Sequence, residues 1–474
     1  MIAMWTKGIV ATRWHHLALS AGGVVAATAL IGVIGVFGVS SARTMTARAL
    51  TAVPVDWQVA LVAGADATAL TGKLAASVRA ARTVGYADAT AFSAVTGGTT
   101  QTTGAGQVVG LSADYAATFP GQIRLLLGRA EGVLLAQQTA ANLHATVGNV
   151  VTLTPAGAEP FDVTVEGIVD LLNADPMFQS IGPQKGPAAT APPDNVALLP
   201  MDLWNRHFAT AARTPGGGAR LQIHVALDHA NLPPAPDAAY VDVTGKAKNF
   251  EVRAAGDATI GDNLAARLGA VRQDALFASI LLLFLGLPGV VLAMLLTVAI
   301  ARSDAARRRR EQALLGLRGA SAGQIAALAF VDAGLVAGVG SLCGVALAAL
   351  LSARVLHIGL HSAAALTWLV ASGVMGFAIA VASVVTPALL DLNGRNVAAR
   401  RAWLAPEMTP LWRRVYIDVG LIAVAGAIFW HSASTGYQVV LAPEGVASAS
   451  VDYTAFLAPL FFWTGCGLLV LRLS

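Results

Sequence analysis

Charge is scarce in this 474-residue chain: Asp, Glu, Lys and Arg supply 12% of it, against 55% hydrophobic residues and a mean hydropathy of +0.64. Soluble domains carry about twice that charge, so a chain built only of soluble domains is excluded. Cysteine is nearly absent. The two present, Cys343 and Cys466, both fall inside apolar runs, so the polar stretch between 43 and 275 must fold without disulfides. No G-x-x-x-x-G-K-[ST] phosphate loop occurs, because Gly72-Lys73 is followed by Leu74 and Gly245-Lys246 by Ala247. Any ATP hydrolysis therefore belongs to another chain, and no cofactor is expected in this one. The net charge of +4 with a pI near 9.3 suggests nucleic acid only where the basic residues share a soluble face. Here many of them, nearly all Arg, flank apolar runs, which makes them topology signals. The dominance of Ala, Gly and Val fits a GC-rich bacterial genome.

A bilayer crossing takes about 20 apolar residues. Runs of that kind lie at 17–40, 276–301, 325–353, 363–390, 415–431 and 455–471. The first ends at Ser40-Ser41-Ala42, which resembles a cleavage site, but its apolar run exceeds that of a signal peptide, favouring an uncleaved anchor. Loops 302–324 and 391–414 hold Arg302, Arg307 to Arg310, Arg318, Arg395, Arg400, Arg401, Arg413 and Arg414. Loops 354–362 and 432–454 share one basic residue, Arg354. The first pair belongs in the cytoplasm, with the 1–16 N-terminus. The expected fold is a bundle of about six transmembrane helices with a large extracytoplasmic α/β domain, 41–275, inserted between spans 1 and 2. The location expected is a bacterial plasma membrane, crossed several times.

In the outside region, alternating runs at 57–62, 150–153, 161–165 and 221–225 predict strands. Segments 132–143 and 201–207 predict helices. Stretches 96–107, 182–194, 215–218 and 233–236, rich in Gly, Pro and Thr, predict surface loops. Residues 257–274, with Leu264, Leu268 and Val271 at helical spacing, predict a stalk helix continuous with the second span.

Between the second and third spans stands ARSDAARRRREQALLGLRGASAGQ, 301–324. Arg307 to Gly319 predicts a short amphipathic helix with Ala313, Leu314 and Leu317 on one face. Gly319 suits a left-handed stop, and Ser321 with Gln324 makes a capping box for the next span. Two readings stay open on these residues: arginines that only hold the loop at lipid headgroups, or a helix offered to a cytoplasmic partner.

RRRREQALLGLRGASAGQI resembles the loop after the second span of the FtsX/MacB-type permease family, with Arg310, Glu311, Leu314, Gly319, Ala320 and Ser321 on the pattern. EGVLLAQQTAANLHATVGNVVTL, FDVTVEGIVD and NVALLPMDLW are similar to that family's periplasmic core domain. The resemblance covers most of 15–395. It implies an ABC transporter permease without its own ATPase, coupled through Arg310, Glu311, Leu314, Leu317, Arg318 and Gly319 to a separate cytoplasmic ABC ATPase that binds the ATP. Such permeases transmit motion to the outside domain. A lipophilic or peptide-like substrate would be exported or extracted; alternatively the machinery would switch a cell-wall hydrolase or other outside protein. The fifth and sixth spans exceed the four-span unit, so the chain reads as the first half of a ten-span permease. The implied partners are the ATPase, membrane lipid, a second copy or permease half, and an outside protein.

In the third span Gly334 and Gly338, then Gly340 and Gly344, give two G-x-x-x-G spacings, read equally as packing within the chain or as a dimer contact. Gly286, Pro288 and Gly289 in the second span permit a kink, read as a hinge. Asp332 and Asp418 lie near inside ends, where a carboxylate reaches water, and are read as structural. Gly319-Ala320-Ser321-Ala322-Gly323 matches G-x-S-x-G only formally, since an Arg-rich helix precedes it. His357 and His361 lack a third ligand beside them, so no metal site is expected.

Overall fold

The computed structural model describes residues 2–74, 78–171, 174–178, 181, 193–303, 314, 319–360, 362–393, 411–435, 439–441, 447–449 and 457–473. The chain divides into two bodies, Arg43–Asp274 and the remainder, Met1–Ala42 with Ala275–Ser474.

The Arg43–Asp274 body opens with the end of helix α1 (Ile2–Ala52), followed by β1 (Trp57–Leu61), α2 (Ala67–Gly72), β2 (Val78–Thr96), β3 (Thr99–Thr102) and β4 (Gly106–Leu111). Next come α3 (Tyr115–Thr118), β5 (Arg124–Gly128), β6 (Val133–Ala136), α4 (Gln137–Asn142), β7 (Val150–Pro155) and β8 (Phe161–Asp170). It closes with β9 (Val196–Pro200), α5 (Met201–Arg213), β10 (Ala219–Leu227), α6 (Pro236–Ala254), β11 (Ala258–Asp262) and the head of α7 (Asn263–Ser303).

The long strand β2 is shared. Its first half pairs with β10, which continues to β1 and β11, while its middle pairs with β4 and its second half with β7 and β3. From β4 the pairing runs through β9, β6, β8 and β7 back to β2, closing six strands into a barrel. Closure satisfies the main chain around the ring without a free edge. Because strand side chains alternate, Phe92, Val108, Leu135, Leu153, Val165 and Leu199 all fall on one face and form a single core with Trp204 and Phe208 of α5. Gly85 and Gly110, cross-strand partners on β2 and β4, lie directly under the Trp204 indole: a Cβ on either would come within 2.5 Å of its ring carbons. The indole fits because those two side chains are missing.

Three expectations are corrected. Residues 132–143 are strand β6 followed by the six-residue α4, since burial of Val133 to Ala136 between β8 and β9 overrides local helix preference. Residues 96–107 are not a plain loop: β2 and β3 form a hairpin through Gly97 and Gly98, both at positive φ, the backbone a two-residue hairpin turn requires. The stalk helix starts later, at Asn263, because 258–262 pair with β1 as β11. Most of the expected loop 182–194 lies outside the described residues.

A polar group sits in the core between β2, β10 and α3. His224 is fully buried, with Tyr115 Oη 2.7 Å from Nδ1 and Tyr86 Oη 3.2 Å from Nε2. Tyr115 Oη also donates to Gln122 Oε1 at 2.7 Å. Burial pushes the imidazole down to about 3 and both phenols up.

The other body holds the rest of α1 and α7, then α8 (Ala322–Arg354), α9 (Ala363–Asn393), α10 (Ile417–Thr435), the short hairpin β12 (Val439–Leu441) with β13 (Ala447–Ala449), and α11 (Leu457–Leu473). Stretches Ala21–Ala52, Ala333–Arg354 and Ala363–Ser383 are long and apolar enough to cross a membrane; Ile417–His431 and Leu457–Leu469 are shorter apolar helices.

Two outcomes test the Arg43–Asp274 body. Gly110→Ala should cost about 1 to 3 kcal/mol by overpacking, read as a lower urea midpoint in near-ultraviolet circular dichroism. Stability should also fall on acidification. Unfolded His224 binds a proton near pH 6.5 but folded His224 only near 3, so between those values the unfolded state holds the extra proton. Asp262, pushed up to about 6 mainly by burial, opposes this between about pH 4 and 6. His224→Gln should therefore shrink the loss of melting temperature between pH 7 and 4.

Candidate functional site

Three regions carry the residues singled out in the sequence. The first is the corner before α8. Arg310, Glu311, Leu317 and Arg318 lie outside the described residues. Leu314 is helical and 57% exposed, an apolar side chain turned to the surroundings. Gly319 has φ +89 and nothing within 4 Å of an added Cβ, so the requirement for glycine there is conformational, not steric. Ser321 Oγ accepts from Gln324 N at 3.3 Å, and Ser321 N donates to Gln324 Oε1 at 3.0 Å, a reciprocal capping box at the start of α8. That hydroxyl is committed to a helix cap, which answers the formal G-x-S-x-G match. His357 is exposed at φ +54; His361 lies outside the described residues.

The second region is the contact of α1 with α7, α8 and α9. The two G-x-x-x-G spacings of α8 separate here. A Cβ on Gly340 would stand 2.7 Å from Val24 Cβ, and one on Gly344 2.6 Å from Thr28 Cβ, so this pair receives α1. Gly334 and Gly338 have nothing within 4 Å. Gly286 of α7 meets Ile34, and a Cβ on Gly289 would stand 2.8 Å from Leu30 Cδ2. Both glycines expected at a hinge are thus points of close approach to α1. Pro288 lies within the continuous α7, and its side chain lies outside the described ones.

Sequence reasoning missed the reciprocal glycines. Gly32 of α1 accommodates Ala348, Gly35 lies under the Trp368 indole, and Gly376 of α9 meets Thr28. Small-residue spacing in α1 (Gly32, Gly35) and α9 (Gly373, Gly376) was the available signal.

The third region, within Arg43–Asp274, roots α7 in the sheet. The backbone carbonyl of Asp56 accepts from Asn263 N at 3.0 Å and Leu264 N at 3.2 Å, and Asn263 Nδ2 donates to Val55 O at 3.1 Å. Asp262 Oδ1 accepts from Ala265 N at 2.7 Å, capping the helix. Asp56 Oδ2 in turn accepts from Leu227 N at 2.6 Å and lies 2.9 Å from His229 Nε2. Leu264, Leu268 and Val271 then share one core with Ala49 of α1 and Val243, Ala247 and Phe250 of α6. Arg272 pairs with Asp237 at 2.5 Å and lies over the Tyr240 ring. The last turns of α1 and the first turns of α7 are built into the same packed core.

Residues 276–391 match the family described as FtsX-like permease C-terminal. Among solved structures, a domain described as part of a permease protein from Porphyromonas gingivalis is 14% identical, covering 43% of this chain and 85% of that one at a TM-score of 0.24. At that score the likeness carries no weight. No curated protein matches the chain.

The packing predicts a contrast between glycines six residues apart. Gly344→Leu should drive α8 off α1 and lower the melting temperature of the detergent-solubilised protein, whereas Gly338→Leu should leave it nearly unchanged. Equal loss in both would remove the packing assignment.

Proposed function

We propose that this chain is the permease subunit of an ABC transporter that converts ATP hydrolysis by a separate cytoplasmic ATPase into movement of its 43–274 domain. The FtsX-like match at 276–391 supports the class, and one observation carries the mechanism. Helix α7 runs unbroken from Asn263, in the core of the sheet domain, to Ser303, inside the matched segment. A helix does not stretch, because each turn is held by its own backbone hydrogen bonds. Displacement at its far end therefore reaches the sheet through Asp56 and the Leu264, Leu268 and Val271 face.

In this reading the ATPase receives the loop helix carrying Arg310, Glu311, Leu314, Leu317 and Arg318, with Gly319 ending it. Gly286, Pro288 and Gly289 let α7 bend against α1. Six spans, with the N-terminus in the cytoplasm, put the sheet domain outside. The open Gly334 and Gly338 face supports a further membrane helix there, from a second copy or a second permease half. The cargo is lipophilic or peptide-like, by the family resemblance alone.

The test is a mild-detergent purification of the whole chain with assay of ATP hydrolysis. An ATPase should co-purify, and joint replacement of Glu311, Leu314 and Arg318 by Ala should weaken the association about tenfold or more while membrane insertion stays unchanged. Retention of the ATPase by the triple variant would move the docking site elsewhere; absence of any ATPase would overturn the transporter reading.

A further inference from the structure

The sequence places Asp418 at a span end where a carboxylate meets water. Instead its side chain is fully buried, facing Arg472 of α11, whose side chain is 20% exposed. Arg472 Nη1 donates to both carboxylate oxygens at 2.8 Å, and Nη2 donates to the Arg413 carbonyl. The guanidinium carbon stands 4.1 Å from the centre of the Tyr416 ring. Carboxylate, carbonyl and aromatic face thus enclose one cation, drawn from three points spaced over six residues of chain and met by a side chain 54 residues later.

What such an enclosure does follows from the solvent. Apolar side chains give helices no preference for one another over lipid tails. An ionised side chain among apolar helices is costly unless paired, and removing one partner strands the other. A buried pair therefore selects one register out of many that apolar packing would tolerate. The register chosen here has little slack. Two turns before Arg472, a Cβ on Gly465 would stand 2.7 Å from Ile422 Cγ1 and 2.9 Å from the Asp418 carbonyl, so the backbones touch there. A Cβ on Gly467 would stand 2.6 Å from Leu295 Cδ1 of α7. Sliding α11 by one residue would bring Cys466 or Leu468 into those seats.

We infer that Asp418 and Arg472 are a positioning pair that sets the register of α11 along α10 and thereby seats Gly467 against Leu295 of α7. The pair acts through helix placement and touches no substrate. It stands independently of the transporter reading, since the geometry is the same whatever moves α7.

The experiment uses the full chain in native membranes with Cys343→Ser and Cys466→Ser. Leu295→Cys with Gly467→Cys reports the seat on α7 by oxidative disulfide formation, since the close contact of Gly467 is with the side chain that the first cysteine replaces. The pair should cross-link when Asp418 and Arg472 are present. Asp418→Asn should lower the yield about tenfold or more, and the swap Asp418→Arg with Arg472→Asp should restore it. The swap covers the case in which Asp418→Asn fails to accumulate, because recovery of both protein and cross-link supports the pair. Cross-linking in Asp418→Asn equal to the parent overturns the inference. So does a swapped chain that accumulates normally yet does not cross-link.

Discussion

The carbonyl of Asp56 takes the first two amides of α7, and the rest of the molecule's logic depends on that small junction. A helix begins with unpaired amides that must find acceptors. Here they find them on the chain leaving α1, while the Asp262 carboxylate satisfies a third. The consequence is that the helices entering and leaving the sheet domain are anchored to each other and to β1. Leu264, Leu268 and Val271 extend the anchor by two further turns through apolar contact with α6 and Ala49.

The two bodies solve their packing by the same device in different solvents. In the barrel, water drives apolar burial, and Gly85 with Gly110 admit a large indole. Among the apolar helices, Gly32, Gly340, Gly344 and Gly376 admit neighbouring backbones, where attraction is van der Waals contact at short range. Removing side chains brings the remaining atoms close in both. At α10 and α11 the device changes to an ion pair, whose directional bonds specify a position that apolar contact leaves open.

Much of the fold class was legible in local pattern. The strands at 57–61, 150–155, 161–170 and 219–227 follow two-residue alternation, and α5 follows helical spacing at Trp204, Phe208 and Ala212. The Ser321 and Gln324 capping box was legible because both partners lie within one turn. Residues 132–143 misled because their apolar run suits either element, and only flanking strands from elsewhere in the chain decide between them. Asp418 was legible as a structural residue but not as a buried one: its partner is Arg472, and an isolated carboxylate near a span end looks solvated. Of the residues proposed to dock an ATPase, the sequence pattern alone speaks for Arg310, Glu311, Leu317 and Arg318.

By itself the sequence determined what each segment must avoid or seek. Scarce charge and long apolar runs demanded lipid or a packed interior, because such properties are sums over neighbouring residues. Tertiary structure decided which of two equivalent glycine pairs receives α1, that six strands close into a ring, and that Arg472 answers Asp418. Each of those depends on atoms brought together from distant parts of the chain. Their choice is a matter of shape and distance that local composition does not encode.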